Sequence, residues 1–410
     1  MCCTDTQDTL TLTQALDRIK KEIQPIQGFE RVALRSGLGR ILAQEVISPV
    51  NVPGYANAAM DGYAVKADDL PQAGIQTLQI IGTALAGQAF SGQVSTGQCV
   101  RIMTGAMIPE GADTVIMQEY VESDQKMIRF GPGQQALQHV RLAGEDLAIG
   151  HSVLAMGQCL LPPQLGLLAS LGIAEVEVKR KLRVAFFSTG DELISIGETL
   201  KPGHLYDSNR YTFYGMLTRL GVELVDMGVV RDEPKILRRT FLEAAESAEV
   251  ILTSGGVSVG EADLTKEILS ELGQIHFWKI AIKPGHPLAF GKIHDAVFFG
   301  LPGNPVSVMV TFYQLVQPIL EWMMGIERHR PLWKVKCLSQ FKKKPGRTEF
   351  LRGILEQDSQ GEWVVRSTGP QGSGILRSMS EGNCFIIFPA EQERIHPGEW
   401  VEIQPFSEMM

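Results

Sequence analysis

Thr253-Ser-Gly-Gly-Val-Ser-Val-Gly260, running on into Glu261-Ala-Asp263, decides the fold of this chain. Ahead of it, Val250, Ile251 and Leu252 make a short apolar run, the mark of a buried strand. After it, a helical pattern runs from Asp263 to Leu272. Strand, Ser/Gly loop and helix start together aim backbone N–H groups and the positive end of a helix dipole at an anion. The loop also carries two carboxylates, Glu261 and Asp263, which can hold a divalent cation or handle protons. Phosphate and metal in one loop point to nucleotide-like chemistry without saying which.

Outward from this loop, residues 182–325 alternate strand and helix. The reading gives strand Leu182–Phe187, helix Ser208–Leu220, strand Glu223–Val230, helix Pro234–Ala248, strand Ala296–Phe299 and a long helix Val306–Met324. That order predicts a doubly wound α/β domain with a parallel sheet. Toward the N-terminus, residues 9–24 have helical periodicity with Thr13 as a plausible N-cap. From about 46 to 145, short β-rich runs alternate with Gly and Pro turns, which predicts an inserted β domain. A helix from Pro163 to Leu171, closed by Gly172, precedes the α/β part. After Pro331 the chain returns to short strands, which fits a small C-terminal β-barrel. The expected domains are therefore 1–50 with 145–180, an inserted 51–144, an α/β 181–328, and 329–410.

Length and charge narrow the function. A chain of 410 residues and 45.0 kDa, 44% hydrophobic, can support several cores. Its 46 acidic against 38 basic residues give a net charge of -8, which argues against a general nucleic-acid binder. The N-terminus has no basic region followed by an apolar core, and no apolar run approaches a membrane span. Cys2, Cys3, Cys99, Cys159, Cys337 and Cys384 show no metal-binding spacing, so free thiols in a reducing cytoplasm are expected.

Ligands of open α/β sheets sit at the carboxyl ends of the strands. Four loops qualify: Ser188-Thr-Gly-Asp-Glu192, Arg231-Asp-Glu233, the opening loop, and Gly300-Leu-Pro-Gly-Asn-Pro-Val-Ser307. One such loop is more often a tight turn; four on one edge make a shared pocket. None is a Walker A or a Gly-x-Gly-x-x-Gly fingerprint, which disfavours a kinase or a nicotinamide enzyme. Lys279-Ile-Ala-Ile-Lys283-Pro-Gly-His286-Pro287 lies between the third and fourth loops. Residues four apart on one strand share a face, so Lys279 and Lys283 could offer paired point charges to an oxyanion; the plainer reading is two surface lysines. Asn57-Ala-Ala-Met-Asp61-Gly-Tyr63 and Arg101-Ile-Met-Thr104 could cap turns or carry function. Arg352 beside a strand and Ser373 in a Ser/Gly loop could grip a tetrahedral anion.

Together these stretches resemble the MoeA and gephyrin E-domain family of molybdopterin molybdenumtransferases, from about residue 9 to 405. The motifs that carry the resemblance are Ala59-Met-Asp-Gly-Tyr-Ala64, Arg101-Ile-Met-Thr-Gly-Ala106, Ser188-Thr-Gly-Asp-Glu-Leu193, Thr253 to Gly260, Ile282-Lys-Pro-Gly and Gly300 to Ser307. The order looks closest to the bacterial single-function enzymes, since no second adenylylating domain is fused.

The resemblance implies molybdenum insertion into adenylylated molybdopterin, with molybdate as co-substrate and AMP as product. It also implies a homodimer of elongated, four-domain subunits, working in the cytoplasm with Mg2+ and with neither nucleic acid nor membrane as partner. An upstream adenylylating enzyme and downstream molybdoenzymes are further candidate partners. Asp263 would hold Mg2+ or position the hydrolytic water, with Glu192 and Asp232 as further metal candidates. Ser254, Gly255, Gly256, Ser258 and Gly260, with Pro302 and Pro305 of the fourth loop, would face the cofactor precursor. Lys279 and Lys283 would neutralise pyrophosphate. Pro287, Arg352, Ser373 and Ser307 would form the molybdate pocket, and Asp61 and Thr104 would enter from the partner subunit. This chain departs from many relatives at His286, where they have Lys. A neutral imidazole would grip molybdate less well, so affinity is expected to improve as pH falls or in His286→Lys. A non-catalytic molybdopterin-binding or scaffold protein is the alternative reading.

Overall fold

Phe186 and Phe187 point to opposite faces of one strand, and each meets a different helix layer. The computed structural model describes residues 9–124, 126–255, 262–326, 328 and 330–408. Strand Arg183–Thr189 sends Phe186 against Phe213 of helix Asn209–Leu220, ring centroids 6.3 Å apart. It sends Phe187 against Phe241 of helix Pro234–Ser247, 5.3 Å apart. Alternation along a strand produces this split, and burial of both faces explains why the run is apolar throughout.

The sheet is seven-stranded, in the order Thr9–Leu10, Gly273–Ile280, Pro287–Ile293, Ala296–Leu301, Val250–Ser254, Arg183–Thr189, Glu223–Val230. The last four are mutually parallel, with Ser188 level with Ser254 and Ser254 level with Leu301. Strand Pro287–Ile293 runs antiparallel to both its neighbours, so the sheet is mixed and the expected parallel part is its functional half. The chain steps from Arg183–Thr189 outward to Glu223–Val230, then back across to Val250–Ser254. That reversal opens a crevice at the carboxyl ends of these strands.

The expected run Lys279–Lys283 is not one strand. Gly273–Ile280 ends in the large sheet, and Ile282–Lys283 pairs with Thr348–Gln357 of the C-terminal domain. Lys279 and Lys283 therefore belong to different sheets, and the same-face inference does not apply. The long helix also divides: Pro305–Thr311 and Gln317–Met324 are α, and Phe312–Val316 between them is a π segment. Pro318, which has no N–H to donate, lies just beyond that segment.

The C-terminal strands Thr348–Gln357, Trp363–Ser367, Trp333–Cys337, Trp400–Pro405 and Cys384–Phe388 close on themselves, because Thr348–Gln357 pairs with both Trp363–Ser367 and Cys384–Phe388. Closure removes the sheet edges, and Val335, Leu351, Val365, Ile386 and Ile403 fill the interior. Burial pushes the Cys384 thiol up to about 12 and raises Cys337 as well, which keeps both unreactive at neutral pH.

Contacts divide the chain into two units. One comprises the chain through Glu30 together with everything from Lys179 onward; the other is Arg31–Val178. Helix Leu12–Glu22 was expected with residues 31–50 and 145–180. It instead buries Ala15 and Ile19 in the core that Val184, Phe186 and Phe299 share. Its N-cap is Thr11 rather than Thr13: Thr11 Oγ1 accepts from the Gln14 N–H, and the Gln14 side chain accepts from the Thr11 N–H.

The Arg31–Val178 unit carries a six-stranded sheet, in the order Thr114–Met117, Gly62–Val65, Gln98–Ile102, Gln76–Ala84, Met127–Phe130, Glu122–Ser123. Its faces are covered separately, by Ala64, Val100 and Val115 on one side and by Tyr63, Val65 and Ile116 on the other. Gly62 opens the strand beside Thr114–Met117 because a Cβ there would lie 1.9 Å from the Ile116 carbonyl oxygen. A further core of Leu42, Leu154, Leu160, Leu168 and Val178 supports the rest of the unit.

Candidate functional site

Two cavities lie along the carboxyl edge of the parallel strands and share Gly303 and Asn304. The larger, of about 750 Å3, is bounded by Thr189, Glu192, Asp207, Asn209, Asp232, Gly255 and Pro305, among others. Every sequence-selected loop therefore contributes to it. Thr189 and Glu192 come from the first loop, Asp232 from the second, Gly255 from the third, and Gly303 to Pro305 from the fourth. Ser254 sits behind Gly255, buried, and its Oγ donates to Ser188 Oγ at 3.1 Å. Gly255 has φ +93, and a Cβ there would fall 2.5 Å from the Thr189 carbonyl oxygen, so only glycine lets the two loops approach.

The metal candidates are partly placed. Glu192 and Asp232 line this cavity, and the Asp232 N–H donates to Asp191 Oδ1 at 3.3 Å, which ties the first two loops together. Asp263 is the second residue of helix Ala262–Leu272, but its side chain lies outside the described residues. Gly256, Ser258 and Gly260 also lie outside them. Among the described residues no group of three or more His, Cys, Asp or Glu side chains could hold a metal ion. Glu192 and Asp232 supply two oxygen-donor side chains of the kind hard cations prefer.

Sequence reasoning missed the floor of this cavity. Asp207 just precedes helix Asn209–Leu220, Asn209 opens it, and both are buried. Ser188 Oγ donates to Asp207 Oδ1 at 3.0 Å, and the Arg210 N–H donates to the same oxygen at 3.1 Å. Asn209 Nδ2 donates to the Gly303 carbonyl at 2.7 Å. Asp-Ser-Asn before a helix reads as a capping segment, and nothing in that pattern signals a lining residue.

The smaller cavity, of about 600 Å3, is bounded by the Lys283–Pro287 turn, Pro302 to Asn304, Ser307, Arg347, Glu349, Arg352 and Gln371 to Ser373. It thus gathers the expected Pro287, Ser307, Arg352 and Ser373 with Lys283 and His286. Lys279 is not among its lining residues; it stays in the large sheet, level with Pro287. Arg352 is 0% exposed. Its Nε donates to Ser378 Oγ at 3.0 Å, its Nη2 to the Gly372 carbonyl at 3.2 Å and its Nη1 to the Phe350 carbonyl at 3.4 Å. Burial pushes the guanidinium down to about 10, opposed by the charge of Glu349, so it is cationic at neutral pH. A buried cation held by neutral oxygens is poised for an anion.

Lys283 Nζ donates to the buried Glu349 carboxylate at 3.0 Å, so its charge is already partnered. His286 Nδ1 lies 2.8 Å from the Ile280 carbonyl, and that oxygen requires the proton on Nδ1. The Val306 N–H donates to the Ser373 carbonyl at 3.0 Å, which fixes the Ser/Gly loop against the start of helix Pro305–Thr311.

In the Arg31–Val178 unit, Asp61 and Thr104 meet each other. The Thr104 N–H and hydroxyl both donate to Asp61 Oδ1 at 2.7 Å. Those two bonds, the backbone one first, hold the exposed Asp61 carboxyl below its ordinary range.

Comparison with known proteins covers almost the whole chain. Residues 10–172 match the MoeA N-terminal region (domain I and II), residues 185–322 a probable molybdopterin binding domain, and residues 334–406 the MoeA C-terminal region (domain IV). A molybdopterin molybdenumtransferase of Haemophilus influenzae is 44% identical over 404 residues, covering 98% of this chain and 100% of that protein. One of Nostoc is 32% identical, covering 91% of this chain and 88% of its own length. The crystal structure of a molybdopterin biosynthesis moeA protein from Pyrococcus horikoshii superposes with TM-score 0.84 at 29% identity, covering 97% of this chain and 100% of that one.

Proposed function

The chain belongs to the molybdopterin molybdenumtransferases, transferases of molybdenum cofactor biosynthesis, and from that premise we propose that it joins molybdate to adenylylated molybdopterin and releases AMP. The observation that carries this reading is the pair of cavities meeting at Gly303 and Asn304, one lined by carboxylates and one by cations. A reaction between a pyrophosphate-bearing substrate and a tetrahedral oxyanion needs both in contact.

In this reading the larger cavity takes the adenylylated substrate. The start of helix Ala262–Leu272 would offer its backbone N–H groups to phosphate. Glu192 and Asp232, with Asp263, would hold Mg2+, which offsets charge on the pyrophosphate when bound. The smaller cavity takes molybdate. Arg352 supplies the buried positive charge, Ser307 and Ser373 supply hydroxyl donors, and Pro287 with the Lys283–Gly285 turn shapes the wall. Lys283, paired with Glu349 in this cavity, would add positive charge beside the incoming anion and toward the leaving AMP. Lys279 lies outside both linings, so any charge it supplies acts at longer range.

Asp61 and Thr104 act from the partner of a homodimer. Met60 and Met107, beside them in sequence, are 43% and 46% exposed, and Tyr55 is 42% exposed. Apolar side chains on a solvated face are what a subunit contact covers. No helix among the described residues is long and apolar enough to cross a membrane, and the cytoplasm is the proposed place of action.

The test is to incubate the purified protein with adenylylated molybdopterin, molybdate and Mg2+ and to measure AMP. Molybdate-dependent AMP release is expected. Tight binding without AMP release would leave only the non-catalytic binding or scaffold reading. Asp263→Ala should lower turnover about 100-fold or more while binding persists; normal AMP release by that variant would remove Asp263 from the reaction.

A further inference from the structure

Three polar atoms at the floor of the larger cavity have no hydrogen-bond partner among the described residues, though each is deeply buried: Thr189 Oγ1, Asp207 Oδ2 and Asn209 Oδ1. Their residues are 5%, 3% and 8% exposed. Buried polar atoms are normally paired, and leaving them unpaired is costly. The protein has also fixed which atoms remain. Asn209 spends its Nδ2 on the Gly303 carbonyl, so its amide turns Oδ1 away from that bond. Asp207 spends Oδ1 on Ser188 and on the Arg210 N–H, which leaves Oδ2. Two acceptors and one hydroxyl, on residues that line the cavity, are thus left for a ligand that brings N–H donors.

We propose that Thr189, Asp207 and Asn209 recognise the amino-bearing edge of a nitrogen heterocycle in the substrate. This rests on the reading above, in which the substrate carries two such rings, a pterin and an adenine. Both present an exocyclic amino group that two oxygen acceptors can bind, and the hydroxyl of Thr189 can donate to a neighbouring ring acceptor. The glycine at 255 leaves room beside Thr189 Oγ1: a Cβ there would lie 3.0 Å from it.

Asp207→Asn gives a directional test. Ser188 and the Arg210 N–H both donate to Oδ1, so the amide oxygen of the variant takes that position. The NH2 group then replaces Oδ2, and an acceptor becomes a donor. Binding of four probes is measured by calorimetry or pterin fluorescence: AMP, IMP, pterin and lumazine. IMP and lumazine carry a keto oxygen where AMP and pterin carry the amino group. The wild type should prefer the amino member of at least one pair by about tenfold, and Asp207→Asn should erase or reverse that preference in the same pair.

Preference confined to AMP over IMP assigns the floor to the adenine; preference confined to pterin over lumazine assigns it to the pterin. A wild type indifferent to amino and keto in both pairs overturns the proposal, whether or not the variant folds. An Asp207→Asn protein with the wild-type melting temperature and unchanged ratios also overturns it, and leaves the floor to water. AMP release from adenylylated molybdopterin separates the two readings. Normal release with no discrimination removes only this inference, and discrimination without release removes only the transferase chemistry proposed above.

Discussion

On one side of Gly303 and Asn304 the lining charge comes from Glu192, Asp232 and the buried Asp207. On the other it comes from Lys283, Arg347 and the buried Arg352, against the one carboxylate of Glu349. The two cavities are alike in size and share a loop, yet their electrostatics are opposed. A bare oxyanion entering the first would meet repulsion, and a hydrated cation entering the second would meet the same. A single fold edge can thus sort two ligands by charge and still hold them in contact. The loop between them, Pro302 to Pro305, needs no charge of its own.

The largest effect is expected at Arg352. Arg352→Met keeps the volume and removes the charge, so molybdate affinity should fall about 10- to 100-fold while AMP binding stays within about twofold. A molybdate titration of the folded variant checks this, and unchanged affinity would move the oxyanion elsewhere. Glu349→Gln sharpens the contrast from the other direction. It removes the only acid that lines the cationic cavity among the described residues and releases Lys283 from its 3.0 Å pair. Molybdate should then bind a few-fold tighter, with steeper weakening by salt. His286→Lys should tighten molybdate by a similar or smaller factor, since the imidazole proton already faces the Ile280 carbonyl. If that variant leaves the molybdate requirement unchanged, the ring does not touch the anion.

The smallest effect concerns the other unit. Thr104 favours ionised Asp61, so the folded carboxyl titrates below its unfolded value. The benefit is present above the unfolded pKa and is lost as pH falls through the folded one. Thr104→Val removes the hydroxyl and keeps the backbone donor, so the Asp61 titration, followed by NMR, should move part of the way up. No movement would mean that the hydroxyl bond does not persist in solution.

Most of the larger cavity was legible because strand ends carry their own signature. Ser188 to Glu192, Gly255 and Pro302 to Pro305 follow apolar runs, and parallel pairing then brings them level. Asp207 and Asn209 were not legible, because a cap and a ligand floor use the same residue types. Lys279 and Lys283 misled for a different reason. Period-two spacing assumes one continuous strand, and the transfer from the large sheet to the barrel at Ala281 leaves no mark in composition. The mixed sheet was hidden likewise, since Pro287–Ile293 reverses direction across a short turn and looks from sequence like more of the same. Helix Leu12–Glu22 shows that local periodicity gives an element without giving its address.

The claim that charge divides the two cavities is tested most directly by a crossed calorimetric titration. Asp232→Asn and Arg352→Met are each titrated with AMP plus Mg2+ and with molybdate. Asp232→Asn should weaken AMP and spare molybdate, and Arg352→Met should do the reverse. Equal loss of both ligands in either variant, at an unchanged melting temperature, would contradict it.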